Sequence, residues 1–304
     1  MDGGKRFAVL LCAEDSDYVK KRYGGYFGVF VDMLAEEGET WDFFKVANGE
    51  FPDDDQIGGF DGFVITGSCN DAHGNDAWIC KLISLLKKLD SLNKKVLGIC
   101  FGHQILCRAL GGKTGRAISG WDIGLTTIHV SPSSSKLFSS LEIPATLSII
   151  ECHRDEVREP PPKAEVIAWS EKTGVEMFRY GDHMMGIQGH PEYTKDILIH
   201  LIDRLLQRNF IVDSYADELK ATLGKVEPDK DAWKRLCTSF LKETIDVTLT
   251  KASRQENKGV EKRQTIVNFQ ELSAWLLNSS RNGYRSHCLN SGFGFCWSHW
   301  YGML

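Results

Sequence analysis

A chain of 304 residues, 42% hydrophobic and 25% charged, is long enough for one large domain or two small ones and has the make-up of a folded globular protein, which excludes fibrous and wholly disordered classes. Its formal net charge of -5 argues against a dedicated nucleic-acid binder, whose surface is usually basic, and no run reaches the roughly 20 apolar residues that a membrane-spanning helix needs. The nine cysteines fall at irregular spacings, which suits free thiols in a reducing compartment better than a disulfide framework, so a cytoplasmic location is expected.

The apolar stretch at 7–13 is too short and too weakly flanked for a secretory signal and reads as the first buried strand. Strands are predicted at 7–12, 41–46, 60–66 and 96–100, with helices between them at 26–37, 76–92 and 101–110. Strict alternation of this kind implies a parallel sheet with helices on both faces, and ligands in such folds bind at the carboxyl ends of the strands. From 124 to 188 the pattern turns to strands, at 125–130, 147–150, 165–169, 175–180 and 184–188, which reads as a mixed extension of the sheet. Pro160, Pro161 and Pro162 form a rigid loop between two of them. A helix at 193–208 follows, with Ile197, Leu198, Leu201, Ile202 and Leu205 on one face, and one or two more helices are expected at 213–245. Beyond 245 the chain becomes rich in Ser, Asn, Arg and Gly, with one helical pattern at 269–277, and is expected to be a disordered or atypical tail. His287, Cys288, Cys296 and His299 in that tail fit no familiar zinc spacing, so no metal site is expected.

Cys100 stands between Gly98 and Gly102, where the strand pattern stops and the helix pattern of Ile105, Leu106, Ala109 and Leu110 begins. Unpaired N–H groups and the dipole at a helix start favour a thiolate, the reactive form of cysteine. The two glycines answer the need of a turn too sharp for side chains beside a nucleophile. Such a nucleophile needs a base, and the base an orienting group. The run GIQGHPE at 186–192 offers both: Pro191 biases His190 towards an extended conformation, in which Glu192 would point to the same side and fix the imidazole. An acyl-transfer site also needs donors for an oxyanion. The N–H of Phe101 is one candidate, and the tripeptide Thr66-Gly67-Ser68 another, an ordinary strand-ending turn being the competing reading of that tripeptide.

Taken together, GICFGHQ at 98–104, TGS at 66–68 and GHPE at 189–192 resemble the class I glutamine amidotransferase domain over roughly residues 5–210. The resemblance implies an α/β, flavodoxin-like fold, an open and mostly parallel sheet with helices on both faces and a mixed β extension, occupying residues 1–245 with the C-terminal helices included. It implies Cys100 as nucleophile, His190 as general base and acid, Glu192 as orienting carboxylate, and Gly67 with Phe101 as the oxyanion hole. Gln104 and the segment 152–155, with His153 and Asp155 as its binding residues, align with positions lining the glutamyl pocket, and no cofactor is implied.

Amidotransferase domains usually feed ammonia to a synthetase, yet neither an SGG-type nor a GxxxxGK[ST] phosphate loop follows, and too few residues lie beyond 210 for a synthetase domain. The chain is therefore similar to the free-standing γ-glutamyl peptidases of plants, which implies a small γ-glutamyl substrate, glutathione or a conjugate of it, cleaved through a thioester on Cys100. No nucleic-acid or membrane partner is expected. A glutaminase subunit serving a separate synthetase is the second reading, and a non-catalytic binding protein on the same scaffold the third; the third predicts a damaged triad, and all three residues are present.

Overall fold

Side chains along β1 (Arg6–Leu10) alternate between two buried layers, Phe7 and Val9 entering one and Ala8 and Leu10 the other. A strand apolar on both sides must be covered on both. The computed structural model describes residues 4–132, 141–224 and 227–242, and helices supply that cover. After β1 come α1 (Asp17–Tyr23), α2 (Tyr26–Leu34), β2 (Thr40–Phe44), α3 (Asp54–Ile57), β3 (Gly62–Ile65), α4 (Ala77–Ser91), β4 (Lys95–Ile99) and α5 (Phe101–Ala109). Seven strands follow α5: β5 (Lys113–Arg116), β6 (Asp122–Val130), β7 (Thr146–His153), β8 (Asp155–Glu159), β9 (Glu165–Trp169), β10 (Met177–Tyr180) and β11 (Met184–Ile187). Three helices then complete the described chain: α6 (Lys195–Gln207), α7 (Asp213–Leu223) and α8 (Lys230–Lys242).

The main sheet has nine strands in the order β2-β1-β3-β4-β11-β10-β9-β6-β7. From β2 to β11 the neighbours are parallel, and from β11 to β7 they are antiparallel. This is the expected α/β architecture with its mixed extension. Phe30 and Leu34 of α2 and Trp233, Leu236 and Phe240 of α8 share one layer, while Ile79, Leu82 and Leu86 of α4 join Ile105 and Leu106 of α5 in the other. A third cluster packs α6 and α7 against the extension through Ile197, Leu198, Ile202 and Leu219 on Ile123 and Ile150. Trp233 is fully buried and its Nε1 donates to the carbonyl of Ser148, so α8 is integral to the core; truncating such a side chain typically costs about 3–5 kcal/mol.

The β6–β7 hairpin matters most for the site. β9 pairs only with His129 and Val130 at the end of β6, so most of β6, with the last part of β7, runs on past the carboxyl edge of the sheet. Both strands are longer than the apolar pattern predicts, because Asp122, Glu151 and His153 are buried polar residues that interrupt it. Four elements lie outside the predicted set. α1 is capped by Ser16, which accepts from the Val19 N–H, and ends at Gly24 with φ 73°. α3 is a single turn, and the charged β5 pairs with β8 in a separate ribbon. The three prolines lie between β8 and β9.

Among the described residues no helix is long and apolar enough to cross a membrane. The chain divides into two units, Met1–Thr244 and Ile245–Leu304. The second unit, with the predicted helix at 269–277 and His287, Cys288, Cys296 and His299, lies outside the described residues.

Candidate active site

Cys100 occupies the junction of β4 and α5 with φ 53° and ψ -104°, a backbone conformation that costs of order 1–3 kcal/mol and must be held by its surroundings. The hold is visible on both sides. Its N–H donates to the Ile187 carbonyl at 2.8 Å, and its own carbonyl accepts from the Gln104 N–H at 3.0 Å. A Cβ on Gly98 would overlap the Gly102 carbonyl, and one on Gly102 would overlap the Ile65 carbonyl, so both glycines are required by close backbone approach. Phe101, as the first helical residue, has an N–H with no intrahelical acceptor. Its ring stacks on Trp78 at 5.5 Å.

β11 lies beside β4 in parallel register, Ile187 opposite Ile99, so the segment leaving β11 emerges next to Cys100. His190 then bridges to β7, its N–H donating to the Ile150 carbonyl at 2.7 Å. The extended run expected through Glu192 is not what joins the two side chains. The chain turns at Pro191 and Glu192, closed by the Tyr193 N–H on the His190 carbonyl at 3.3 Å, and the turn carries the carboxylate back to the ring. His190 Nδ1 and Glu192 Oε1 are 2.9 Å apart and buried, which assigns the Nδ1 proton to that bond. Nε2 is left for Cys100. Burial by itself would lower the His190 pKa, but the charges of Glu192 and of Cys100, with hydrogen bonds to both, raise it to about 10. Tyr193 lies face to face with the imidazole, ring centres 3.9 Å apart and planes within 5°. The ring of Tyr193 also lies 6.1 Å, centre to centre, from that of Tyr26.

Gly67 closes the site from the β3 side. A Cβ there would stand 2.8 Å from His190 Cε1 and 3.7 Å from the Cys100 Cβ, so the backbone of Gly67 faces both groups with nothing between. Thr66 and Ser68 fasten this turn to the end of β1: Thr66 Oγ1 accepts from the Cys12 N–H at 3.0 Å and Ser68 Oγ donates to the Cys12 carbonyl at 2.7 Å.

The three residues expected to line the glutamyl pocket lie together. Gln104 Nε2 donates to the Asp155 carbonyl at 2.8 Å and to Gln188 Oε1 at 3.1 Å. His153 Nδ1 is 2.9 Å from the same Asp155 carbonyl and its Nε2 is 3.2 Å from Glu151. The Asp155 carboxylate meets Arg116 at 2.8 Å and His73 at 3.5 Å. Asp71, His73 and Asp155 could each offer one ligand atom to a cation, but Arg116 already pairs with both carboxylates. The group is a charge network at the rim and carries no metal assignment.

Some residues around the site were not anticipated. Tyr193 is one. Glu151 and Glu176 are others: both are buried behind Gly189, and burial pushes both carboxyls well up, aided at Glu151 by the charge of Asp122 and at Glu176 by Glu151. The only sequence signal for Glu151 is Gly189, where a Cβ would overlap its carboxylate. His103, three residues after Cys100, is a core residue; burial lowers its pKa to about 3, and its Nε2 faces the Val175 carbonyl.

A strained cysteine at a strand-to-helix elbow, a histidine–carboxylate pair and a glycine turn thus stand together at the carboxyl edge of a doubly wound sheet. The chain belongs to the class I glutamine amidotransferase family, whose model matches residues 26–200. It is 54% identical to γ-glutamyl peptidase 5 and 51% identical to γ-glutamyl peptidase 3 of Arabidopsis thaliana, each alignment covering 78% of this chain and 96% or 97% of the relative. Among solved structures, a glutamine amidotransferase from Thermotoga maritima superposes with a TM-score of 0.62 at 22% identity, over 78% of this chain and 96% of that one, a likeness of fold.

Proposed function

We propose that the chain is a cysteine hydrolase that cleaves the γ-glutamyl bond of glutathione or of glutathione conjugates through a glutamyl thioester, with residues 1–245 as its catalytic unit and the cytoplasm as its place of action. The observation that carries the reading is the convergence of Cys100, the His190–Glu192 pair and Gly67 at one carboxyl edge. The likeness to γ-glutamyl peptidases over nearly their whole length supports the choice of bond.

In the proposed reaction the Cys100 thiolate attacks the γ-carbonyl carbon. The oxygen that becomes negative takes hydrogen bonds from the N–H groups of Gly67 and Phe101, the kind of contact whose loss costs on the order of a hundredfold in rate. His190, protonated beside Glu192, gives its Nε2 proton to the departing cysteinyl nitrogen, and the carbon–nitrogen bond breaks to leave the thioester. Water then enters, His190 takes its proton, and the tetrahedral adduct collapses to free glutamate and the thiolate. Gln104, His153 and Asp155 hold the glutamyl end in this scheme. Nothing else is consumed, so no cofactor is called for.

The test is glutamate release from glutamine, glutathione and a glutathione S-conjugate in parallel, by the native protein and by Cys100→Ser. The expected result is turnover of glutathione or its conjugate well above glutamine, abolished in the variant. Turnover of glutamine alone would favour a glutaminase subunit, and turnover by a folded Cys100→Ser protein would sink the mechanism.

A further inference from the structure

Arg154 stands in the turn between β7 and β8 and has no part in the hydrolytic scheme. Both of its neighbours are tied down, His153 between Glu151 and the Asp155 carbonyl, and Asp155 by Arg116. Its own side chain is exposed, with the guanidinium carbon 6.0 Å above the ring of Trp121. Among the described residues no carboxylate forms an ion pair with it, whereas Arg116 grips Asp71 and Asp155, and Arg158 is bonded to the carbonyl of Arg116. A guanidinium resting on an indole face is held in place, yet its donor edge stays free for a planar acceptor.

The turn is braced against the site from two directions. On one side the β6–β7 hairpin runs past the carboxyl edge, and Ile150 of β7 takes the His190 N–H. On the other, the Asp155 carbonyl takes Gln104 Nε2 from the first turn of the helix that begins at Cys100. The Arg154 carbonyl also accepts from the Ala117 N–H at 2.9 Å, which sets Ile118, 94% exposed, on the same rim as Trp121.

We propose that Arg154 is the receptor for a free carboxylate of the γ-glutamyl substrate, with Trp121 holding the guanidinium in position. The inference rests on the hydrolase reading above. Glutathione carries two such groups, the α-carboxylate of its glutamyl part and the glycine carboxylate of its leaving part, and a bidentate arginine bond suits either.

The experiment compares the native protein, Arg154→Ala, Arg154→Lys and Trp121→Leu on glutathione, its glycine ethyl ester and γ-glutamyl-p-nitroanilide; the last two keep only the α-carboxylate. Arg154→Ala should lower kcat/KM by about tenfold or more, chiefly through KM, with Arg154→Lys recovering part of the loss and Trp121→Leu losing less than Arg154→Ala. A loss confined to glutathione assigns the glycine carboxylate, and an equal loss on all three assigns the α-carboxylate. A second measurement needs no turnover: equilibrium binding of glutathione to Cys100→Ala protein, with and without Arg154→Ala. Should the native protein hydrolyse none of the three, the hydrolase reading falls, and about tenfold weaker binding without Arg154 still upholds the carboxylate site. Binding and turnover of Arg154→Ala within about twofold of its parent, or no measurable binding to either, overturn the site.

Discussion

Replacing Glu192 by Gln keeps an oxygen at the 2.9 Å bond to His190 Nδ1 and removes its charge. His190 is buried, which on its own would lower its pKa, and the negative charges of Glu192 and Cys100 instead raise it from 6.5 to about 10. That rise is worth on the order of 5 kcal/mol in favour of the imidazolium, at about 1.4 kcal/mol per pH unit. Glu192 is the larger of the two charges that raise the His190 pKa, and a hydrogen bond to a charged group is worth about 1.5–3 kcal/mol, so the imidazole pKa of the variant falls by about one to two pH units. Coupling of this kind is reciprocal: a histidine that holds its proton less firmly supports the thiolate less, so Cys100 of the variant should be alkylated more slowly at neutral pH. The assay is the rate of alkylation of Cys100 by iodoacetamide across roughly pH 5 to 10, read by peptide mapping because Cys69 and Cys80 are exposed and react too. Turnover at neutral pH should fall on the order of a hundredfold in parallel, the share usually carried by a positioned acid–base group. An alkylation profile identical in the native protein and Glu192→Gln would refute the claim that the three groups act as one charge-coupled unit.

Tyr193→Phe keeps the stacked ring and should turn over within about twofold of the native protein, while Tyr193→Ala loses a contact worth about 0.5–1.5 kcal/mol and should show kcat lowered about two- to tenfold; equal kcat values for the two would show that the stack does not seat the imidazole. Glu151 is held protonated when folded, by burial first and the Asp122 charge second, so the stability tied to it is fully present below about pH 4.5 and is lost as pH rises towards its folded-state pKa. Glu151→Gln should therefore flatten the decline of the urea midpoint between acid and mildly alkaline buffer, and an unchanged slope would count against it. Gly102→Ala forces a Cβ against Ile65 and should lose about 1–3 kcal/mol in thermal or urea unfolding, an unchanged midpoint being the contrary result. Removing residues 246–304 should leave glutamate release nearly unchanged; a large loss in a still-folded protein would place part of the catalytic machinery in that segment.

What was legible in the sequence followed from how narrowly each site is constrained. The elbow could be read because two backbone approaches leave no space for a Cβ at 98 or 102, and such a demand can be met only by glycine. The pairing of His190 with Glu192 was anticipated at the right spacing for the wrong reason: an extended strand and a tight turn after proline both bring residues two apart to one side, and the sequence does not tell them apart. Tyr193 gave no signal, since an aromatic residue just ahead of a helix-period run is indistinguishable from a core position. The extension is longer than its apolar pattern because its outer part is built from buried polar residues: Glu151 and His153 of β7 meet Asp122 of β6 and Glu176, just ahead of β10, which are distant in sequence and unite only when the strands align. β5 was missed for a plainer reason: KTGR has no alternating apolar face.

The sheet itself separates two tasks. Cys100, Gly67 and the segment leading to His190 hang from the ends of β4, β3 and β11, parallel strands fixed on both faces by helices, where a displacement of one element is resisted by the whole core. The turn at 153–155 and the loop at 117–121 belong instead to the end of a hairpin that overhangs the edge, joined to the rest through Ile150, Gln104, a few ion pairs and the packing of α6 and α7 on Ile123. On the proposed reading, bond cleavage depends on the first set and recognition of the substrate's ends on the second. Substitutions at Arg154, Trp121 or Ile118 should then move KM and the order of preferred substrates while leaving the pH dependence of Cys100 alkylation where it was, because none of them touches the His190–Glu192 pair. A shift of that alkylation profile in Trp121→Leu would mean that the overhanging hairpin also sets the reactivity of Cys100, and the separation would fail.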